Sequence, residues 1–138
     1  MVKLSRKLER RFMVAAGVWQ ILNGLLTIFI YAPTERRAGL DLIDDTTTFI
    51  EAEAIASVFS NIYMFIVIFG MIYITIGIIN VILSKKMKDD TTLYRIPIYL
   101  LFLGASAYFV MDLISVLLCI LAGGLALAKN KAIMASNM

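Results

Sequence analysis

The sequence contains no histidine and only one cysteine, Cys119. Without an imidazole, the chain can build no His-based metal site, His-dependent catalytic triad or histidine pH switch. A single cysteine also excludes an intrachain disulfide. Nucleophile-elbow and phosphate-binding glycine motifs are missing as well. We therefore predict a protein that is not an enzyme and has no catalytic, cofactor-binding or metal-binding residues.

Charged residues are scarce, at 17% of the chain, whereas 61% of its residues are hydrophobic. Ordinary soluble domains contain about 45–50% apolar residues. A chain of 138 residues forms one domain, and in water a domain of this size leaves too much surface exposed to hide so many apolar side chains. We therefore predict a single all-α domain, a polytopic transmembrane helical bundle with the lipid bilayer as its first partner.

The few charges are placed asymmetrically. Five of the first eleven residues are Lys or Arg, and residues 85–95 hold four more, whereas residues 32–55 carry six acids and two arginines. Basic residues beside apolar runs mark the cytoplasmic side of a membrane. We predict a multi-pass plasma-membrane protein with both termini in the cytoplasm. No basic stripe lies away from these flanks, which argues against a nucleic-acid partner.

Two apolar runs predict the first two spans, at residues 12–31 and 61–84. The first has twenty residues, which matches a hydrocarbon core of about 30 Å. Residues 32–55 are predicted as the external loop, irregular over 32–48 because Pro33 and Gly39 interrupt it. Thr48 and Glu51 have the spacing of a capping box, so a helix is expected to begin near Phe49.

The last apolar stretch, residues 96–128, is too long for one span, because 33 residues would form a helix of about 50 Å. A single tilted helix would place Asp112 near the bilayer midplane, at a cost of roughly 2.5–3.5 kcal/mol. A hairpin with legs at 95–107 and 109–128 instead puts Asp112 near the outer interface, partly hydrated. It also places 11 of the 13 Lys and Arg residues in the cytoplasm, against 9 for three spans. We predict four spans with a short third leg, and keep three spans as the alternative.

Small and polar residues recur at helical spacing in three of these runs. In lipid, such residues let helices approach closely and hydrogen-bond. The predicted helix-packing faces comprise Gly17, Gln20, Asn23 and Gly24; Gly70, Gly77 and Asn80; and Ser115, Cys119 and Gly123. Packing within the bundle is the interpretation we favour over a polar path for an ion or proton. Asp112 is the candidate functional acid, since an ionisable residue inside a span points to function by default.

Three segments carry a family resemblance: the basic start at residues 6–11, the Gly/Ile-rich segment 69–83 and the closing segment 117–129, which ends on Lys129. With them, the chain resembles a family of small four-span membrane proteins of Gram-positive bacteria that is known as a domain of unknown function. The resemblance implies a four-span architecture and no catalytic residues. The acidic loop and Asp112 depart from the family pattern.

These features predict a non-enzymatic bacterial membrane protein that binds another membrane component. It would act as an accessory or regulatory subunit or as an immunity-type protein, through another membrane protein or by self-association into a homo-oligomer. The alternative is a small oligomeric channel or transporter, in which Asp112 and the polar groups of Gln20, Asn23 and Asn80 line a path.

Overall fold

The structure is a computed structural model that describes residues 5–44, 46–89 and 91–136, with only the backbone described at 136. All regular secondary structure in these residues is helical, which confirms the all-α prediction. The elements are α1 (Lys7–Leu26), a π-helical turn (Thr27–Tyr31), α2 (Ala32–Leu40), α3 (Phe49–Lys86), α4 (Arg95–Phe109) and α5 (Leu113–Ser136).

Three helical segments of the described chain are long and apolar enough to cross a membrane: Lys7–Leu40, Phe49–Lys86 and Leu113–Ala135. Helix α4 is also apolar but has only 15 residues. Its length of about 22 Å falls short of a hydrocarbon core of about 30 Å. The fold is therefore a helical protein with three candidate spans and one shorter apolar helix.

Large apolar side chains lie on the outside of the molecule. Phe65, Phe102 and Phe109 are 70%, 74% and 86% exposed, whereas the polar Asn80 and Ser115 are fully buried. A soluble protein buries its large apolar residues and exposes most of its polar ones. The opposite arrangement suits lipid, where small and polar groups hold helices together.

The loop predicted at 32–48 is wrong over its first nine residues, because α2 continues the first helix to Leu40. Proline lacks an N–H and its ring crowds the preceding turn of a regular helix. Here Pro33 follows the π turn, in which the Ala32 N–H bonds to the carbonyl of Thr27. This wider turn places Pro33 at the start of a new α-helical turn, where a missing N–H is tolerated.

The predicted capping box at the start of α3 is confirmed. The Thr48 N–H donates to Oε2 of Glu51 over 3.0 Å, and the Glu51 N–H donates to Oγ1 of Thr48 over 3.4 Å. These bonds satisfy end groups that the helix itself cannot pair. The helix then continues without interruption for 38 residues.

The stretch 96–128 is broken into two helices, as predicted, but the break lies later in the sequence. Helix α4 extends to Phe109 and α5 begins at Leu113, with Met111 between them at φ 57°. Gly104 lies inside α4, close to α5. A Cβ atom there would be 3.0 Å from Cγ1 of Ile120, so this glycine permits close packing of α4 on α5 rather than a turn.

The chain forms two compact units. The first comprises residues 1–20 and 76–138. Its core consists of the buried residues Met13, Ala16, Met87, Leu100, Leu103, Cys119, Ala122 and Ala126. In this unit α4 and α5 pack so closely that a Cβ at Gly123 would lie 3.0 Å from the carbonyl oxygen of Pro97.

The second unit comprises residues 21–75 and contains a hairpin of α2 and the first part of α3. The Arg36 guanidinium lies 5.5 Å from the centre of the Tyr63 ring, a cation–π contact. One turn further on, a Cβ atom at Gly39 would overlap the ring of Phe59. The two helices therefore touch directly along the hairpin.

Candidate functional site

The structure brings two of the predicted packing faces together within the first unit. A Cβ atom at Gly17 would lie 2.6 Å from the carbonyl oxygen of Gly77, so the two helix backbones are in contact there. Beside this contact, Nδ2 of Asn80 donates to Oε1 of Gln20 over 2.7 Å, with both residues buried. Glycine contact and a buried amide pair are the means by which helices associate in lipid.

The second unit contains the corresponding contact between Gly24 and Gly70. A Cβ atom at Gly24 would lie 2.6 Å from the carbonyl oxygen of Gly70. Asn23 is partly buried, and its backbone carbonyl accepts a hydrogen bond from Oγ1 of Thr27 over 2.8 Å. Asn23 belongs to this second unit, whereas the Gln20–Asn80 pair belongs to the first.

The third predicted face lies on α5, where Ser115, Cys119 and Gly123 are all buried. Cys119 belongs to the apolar core of the first unit, and Gly123 faces Pro97 of α4. Ser115 instead donates a hydrogen bond to Asp112, which lies at the turn before α5.

Asp112 caps the N-terminus of α5. Its Oδ1 accepts the Ser115 N–H over 3.1 Å, and its Oδ2 accepts the Ser115 hydroxyl over 2.5 Å. The indole N–H of Trp19 donates to Oδ1 over 3.0 Å. Asp112 was expected to be partly hydrated, but it is only 9% exposed, because these donors take the place of water.

Trp19 was not identified as a partner of Asp112 from the sequence. The two residues are 93 positions apart, and no local spacing connects them. The one available signal is chemical: an indole N–H inside an apolar run needs an acceptor when it is buried, and Asp112 is the only acid within the apolar runs.

Replacing Asp112 distinguishes capping from a charge-dependent role. We expect Asp112→Ala to lower the free energy of unfolding by about 0.5–2 kcal/mol, because the α5 cap is lost. Asp112→Asn should retain most of the stability, since asparagine caps as well as aspartate. Unfolding in mixed detergent micelles measures both variants, and ion flux into liposomes provides the second readout. A flux in the wild type that Asp112→Asn abolishes without loss of stability would contradict a purely capping role.

A buried polar network lies at the charged end of the first unit, around Arg6. Its guanidinium donates to the Thr91 carbonyl over 2.7 Å and to Oδ1 of Asn130 over 2.5 Å. Asn130 in turn pairs with both backbone groups of Leu93. The Arg6 backbone N–H donates to Oδ1 of Asp89 over 2.7 Å. The network thus joins the start of α1, the α3–α4 connection and the end of α5.

One turn along α1, Glu9 is fully buried and forms an ion pair with Lys129 over 2.9 Å. The Lys129 ammonium also donates to the Ser5 carbonyl over 2.6 Å. From the sequence, the basic residues in this region predict only that they face the cytoplasm. The helical spacing of Arg6, Glu9 and Met13, which continues the buried face of α1, is the pattern that could have predicted their burial.

Beside this network, the ends of α1 and α3 form an open groove of about 580 Å³. We call it the basic groove. Its lining consists of Arg10, Arg11, Val14, Ala15, Ser84 and Lys85. Asp89 lies at 3.2 Å from the Arg10 guanidinium. The hydrogen bond from the Arg6 N–H lowers the pKa of Asp89, and the nearby Arg10 charge lowers it further.

The end of the α2–α3 hairpin carries exposed apolar side chains beside acids. Leu40, Leu42, Phe49 and Ile50 are 48%, 61%, 82% and 79% exposed. We call these four residues the hairpin tip. The acids Asp41, Asp44, Glu51 and Glu53 are exposed around them.

Within the described residues, no group of three or more Cys, Asp or Glu side chains could hold a metal ion. No family model matches the chain, and neither a curated protein nor a solved structure shows significant similarity to it. The resemblance to the four-span family of unknown function therefore stays a prediction.

Proposed function

We propose that this chain is a non-enzymatic bacterial plasma-membrane protein that acts by binding another membrane component, as an accessory or regulatory subunit or an immunity-type protein. In this proposal the chain crosses the membrane four times, with α4 as the short third leg and both termini in the cytoplasm. The hairpin tip is the external surface that binds. A partner segment with apolar and basic residues would match the tip and its surrounding acids.

The observation that carries this proposal is the extent of the hairpin beyond the predicted spans. Leu40 lies nine residues after Tyr31, where the first apolar run ends, and Phe49 lies twelve residues before Asn61, where the second begins. At 1.5 Å per residue, the hairpin continues for about 14–18 Å past the apolar runs. Four large apolar side chains exposed outside lipid are typical of a surface that binds a partner.

The internal contacts of the polar residues support binding rather than transport. Gln20 pairs with Asn80, and Asp112 is occupied by Ser115 and Trp19. These contacts hold helices and a helix end in place. The buried polar residues are therefore explained by packing, and no transported ion is needed to explain them. We therefore expect the exposed surface to be the part of the protein that binds a partner.

Site-specific photocrosslinking in intact membranes tests the proposal. With a photoreactive amino acid at Leu42, we expect a discrete protein adduct, identified by mass spectrometry as another membrane protein or a second copy. The same probe at Phe102, an exposed position on the short helix α4, should yield no matching adduct. The double variant Phe49→Ser/Ile50→Ser leaves Thr48 and Glu51 intact and should abolish the adduct at equal protein level. An adduct that persists in this variant, or no adduct from Leu42, would contradict the proposal.

A further inference from the structure

We propose that the basic groove binds the headgroup of an anionic phospholipid, with the phosphodiester on its cationic side chains and the start of the acyl chains on its apolar floor. This goes beyond the proposed function, and it requires only that α1 and α3 are inserted in a membrane. A failed crosslink at the hairpin tip would not contradict lipid binding, because the basic groove belongs to the other unit of the chain.

The groove lies at the ends of the apolar runs of its two helices. Arg10 and Arg11 come immediately before the apolar run that starts at Phe12, and Lys85 comes immediately after Ser84, where the second apolar run ends. Both sets of cations therefore lie at the level where an inserted helix leaves the hydrocarbon and meets the lipid phosphates. Basic pockets between transmembrane helices at this level are suited to anionic headgroups.

The lining combines charged and apolar side chains, as a phospholipid headgroup requires. Arg10, Arg11 and Lys85 supply three cations around one opening, and Val14 and Ala15 supply an apolar surface beside them. A guanidinium can donate two parallel hydrogen bonds to phosphate oxygens, and an ammonium adds a point charge. A free anion would use only the cations, whereas a phospholipid uses both the charged and the apolar parts of the lining.

The cations of the groove outnumber the acids that bond to them in the described residues. Among the described residues, Asp89 is the acid that bonds to a groove cation, and that cation is Arg10, at 3.2 Å. The Arg6 N–H holds the same carboxylate from outside the groove. Within the described residues, neither Arg11 nor Lys85 forms an ion pair. Both line the groove of about 580 Å³, a volume within the range of about 300–1,000 Å³ that ligand pockets occupy. The described lining therefore has a net positive charge, and the groove has space for a headgroup.

The test is lipid titration followed by native mass spectrometry, using the full chain in a neutral detergent. Phosphatidylglycerol is the probe, phosphatidylcholine is the neutral lipid, and inorganic phosphate is the free anion. For Arg11→Gln/Lys85→Gln we expect an affinity for phosphatidylglycerol weaker by about tenfold or more. The matched control is Lys7→Gln/Lys86→Gln, which removes the same charge from the same two helix ends outside the groove lining. The affinity of this control for phosphatidylglycerol should fall by less than about threefold, because the control changes only the nonspecific electrostatic attraction between the chain and the lipid.

A charge-neutral variant tests the apolar floor. Ala15→Phe fills the groove without altering any cation, and it should also weaken phosphatidylglycerol binding. Equal losses in the two double variants would overturn the proposal, since general attraction alone would then explain binding. Unchanged binding in Ala15→Phe, equal binding of phosphatidylcholine, or displacement of the lipid by inorganic phosphate would also overturn it. Circular dichroism of each variant establishes that its helices are intact before binding is compared.

Discussion

Replacing Lys129 by glutamine is expected to lower the free energy of unfolding by about 3–5 kcal/mol, the largest effect of any single substitution considered for this chain. Lys129 is the ion-pair partner of Glu9, whose side chain is fully buried. Removing the ammonium leaves a carboxylate out of water without its counter-charge. Most of the lost stability comes from leaving the Glu9 carboxylate buried and unpaired. A smaller part comes from the lost attraction between the two charges.

Comparison with a double variant separates these two contributions. Glu9→Gln/Lys129→Gln removes both charges, so it should be less destabilised than Lys129→Gln alone. Lys131→Gln is the control, because it makes the same charge change two residues further along α5 at an exposed position. It should alter stability by no more than about 0.5 kcal/mol. Unfolding in mixed micelles measures all four proteins, and a Lys129→Gln variant as stable as Lys131→Gln would contradict the buried pair.

Local patterns in the sequence predicted those features of the fold that depend on neighbouring residues. Thr48 and Glu51 are three residues apart, and a capping box needs nothing further from the chain. The break before α5 followed from two properties of the stretch 96–128. A single helix of 33 residues is longer than the hydrocarbon core is thick, and it would place Asp112 near the bilayer midplane. The predicted break between 107 and 109 is a few residues too early, because α4 continues to Phe109 and α5 begins at Leu113.

Features that depend on distant residues were not predicted. Arg6 and Asn130 are 124 positions apart, and Trp19 and Asp112 are 93 apart. Each pair depends on how distant segments of the chain pack, so no spacing rule connects its members. The helix through Pro33 was missed for a different reason. A π turn removes the usual conflict between proline and a helix, and a sequence pattern contains no signal for that turn.

The small-residue faces provide the second prediction of large effect. Gly17→Ala is expected to lower the free energy of unfolding by about 1–3 kcal/mol, as overpacking in a close-packed interior does. The added Cβ would lie 2.6 Å from the Gly77 carbonyl oxygen and 3.2 Å from the Val81 nitrogen. Both neighbours are backbone atoms, so the helix itself must move to make room.

Gly124→Ala is the matched control, because no atom lies within 4 Å of a Cβ atom at that position. An alanine there should stabilise the protein by about 0.5–1 kcal/mol, since glycine is the weaker helix former. The two substitutions add the same methyl group to helical glycines, and their opposite signs isolate the contact between α1 and α3. Unfolding in mixed micelles measures the difference between them. If Gly17→Ala were as stable as Gly124→Ala, the backbones at Gly17 and Gly77 could not be in contact, and the packing that positions the Gln20–Asn80 pair would have to be different.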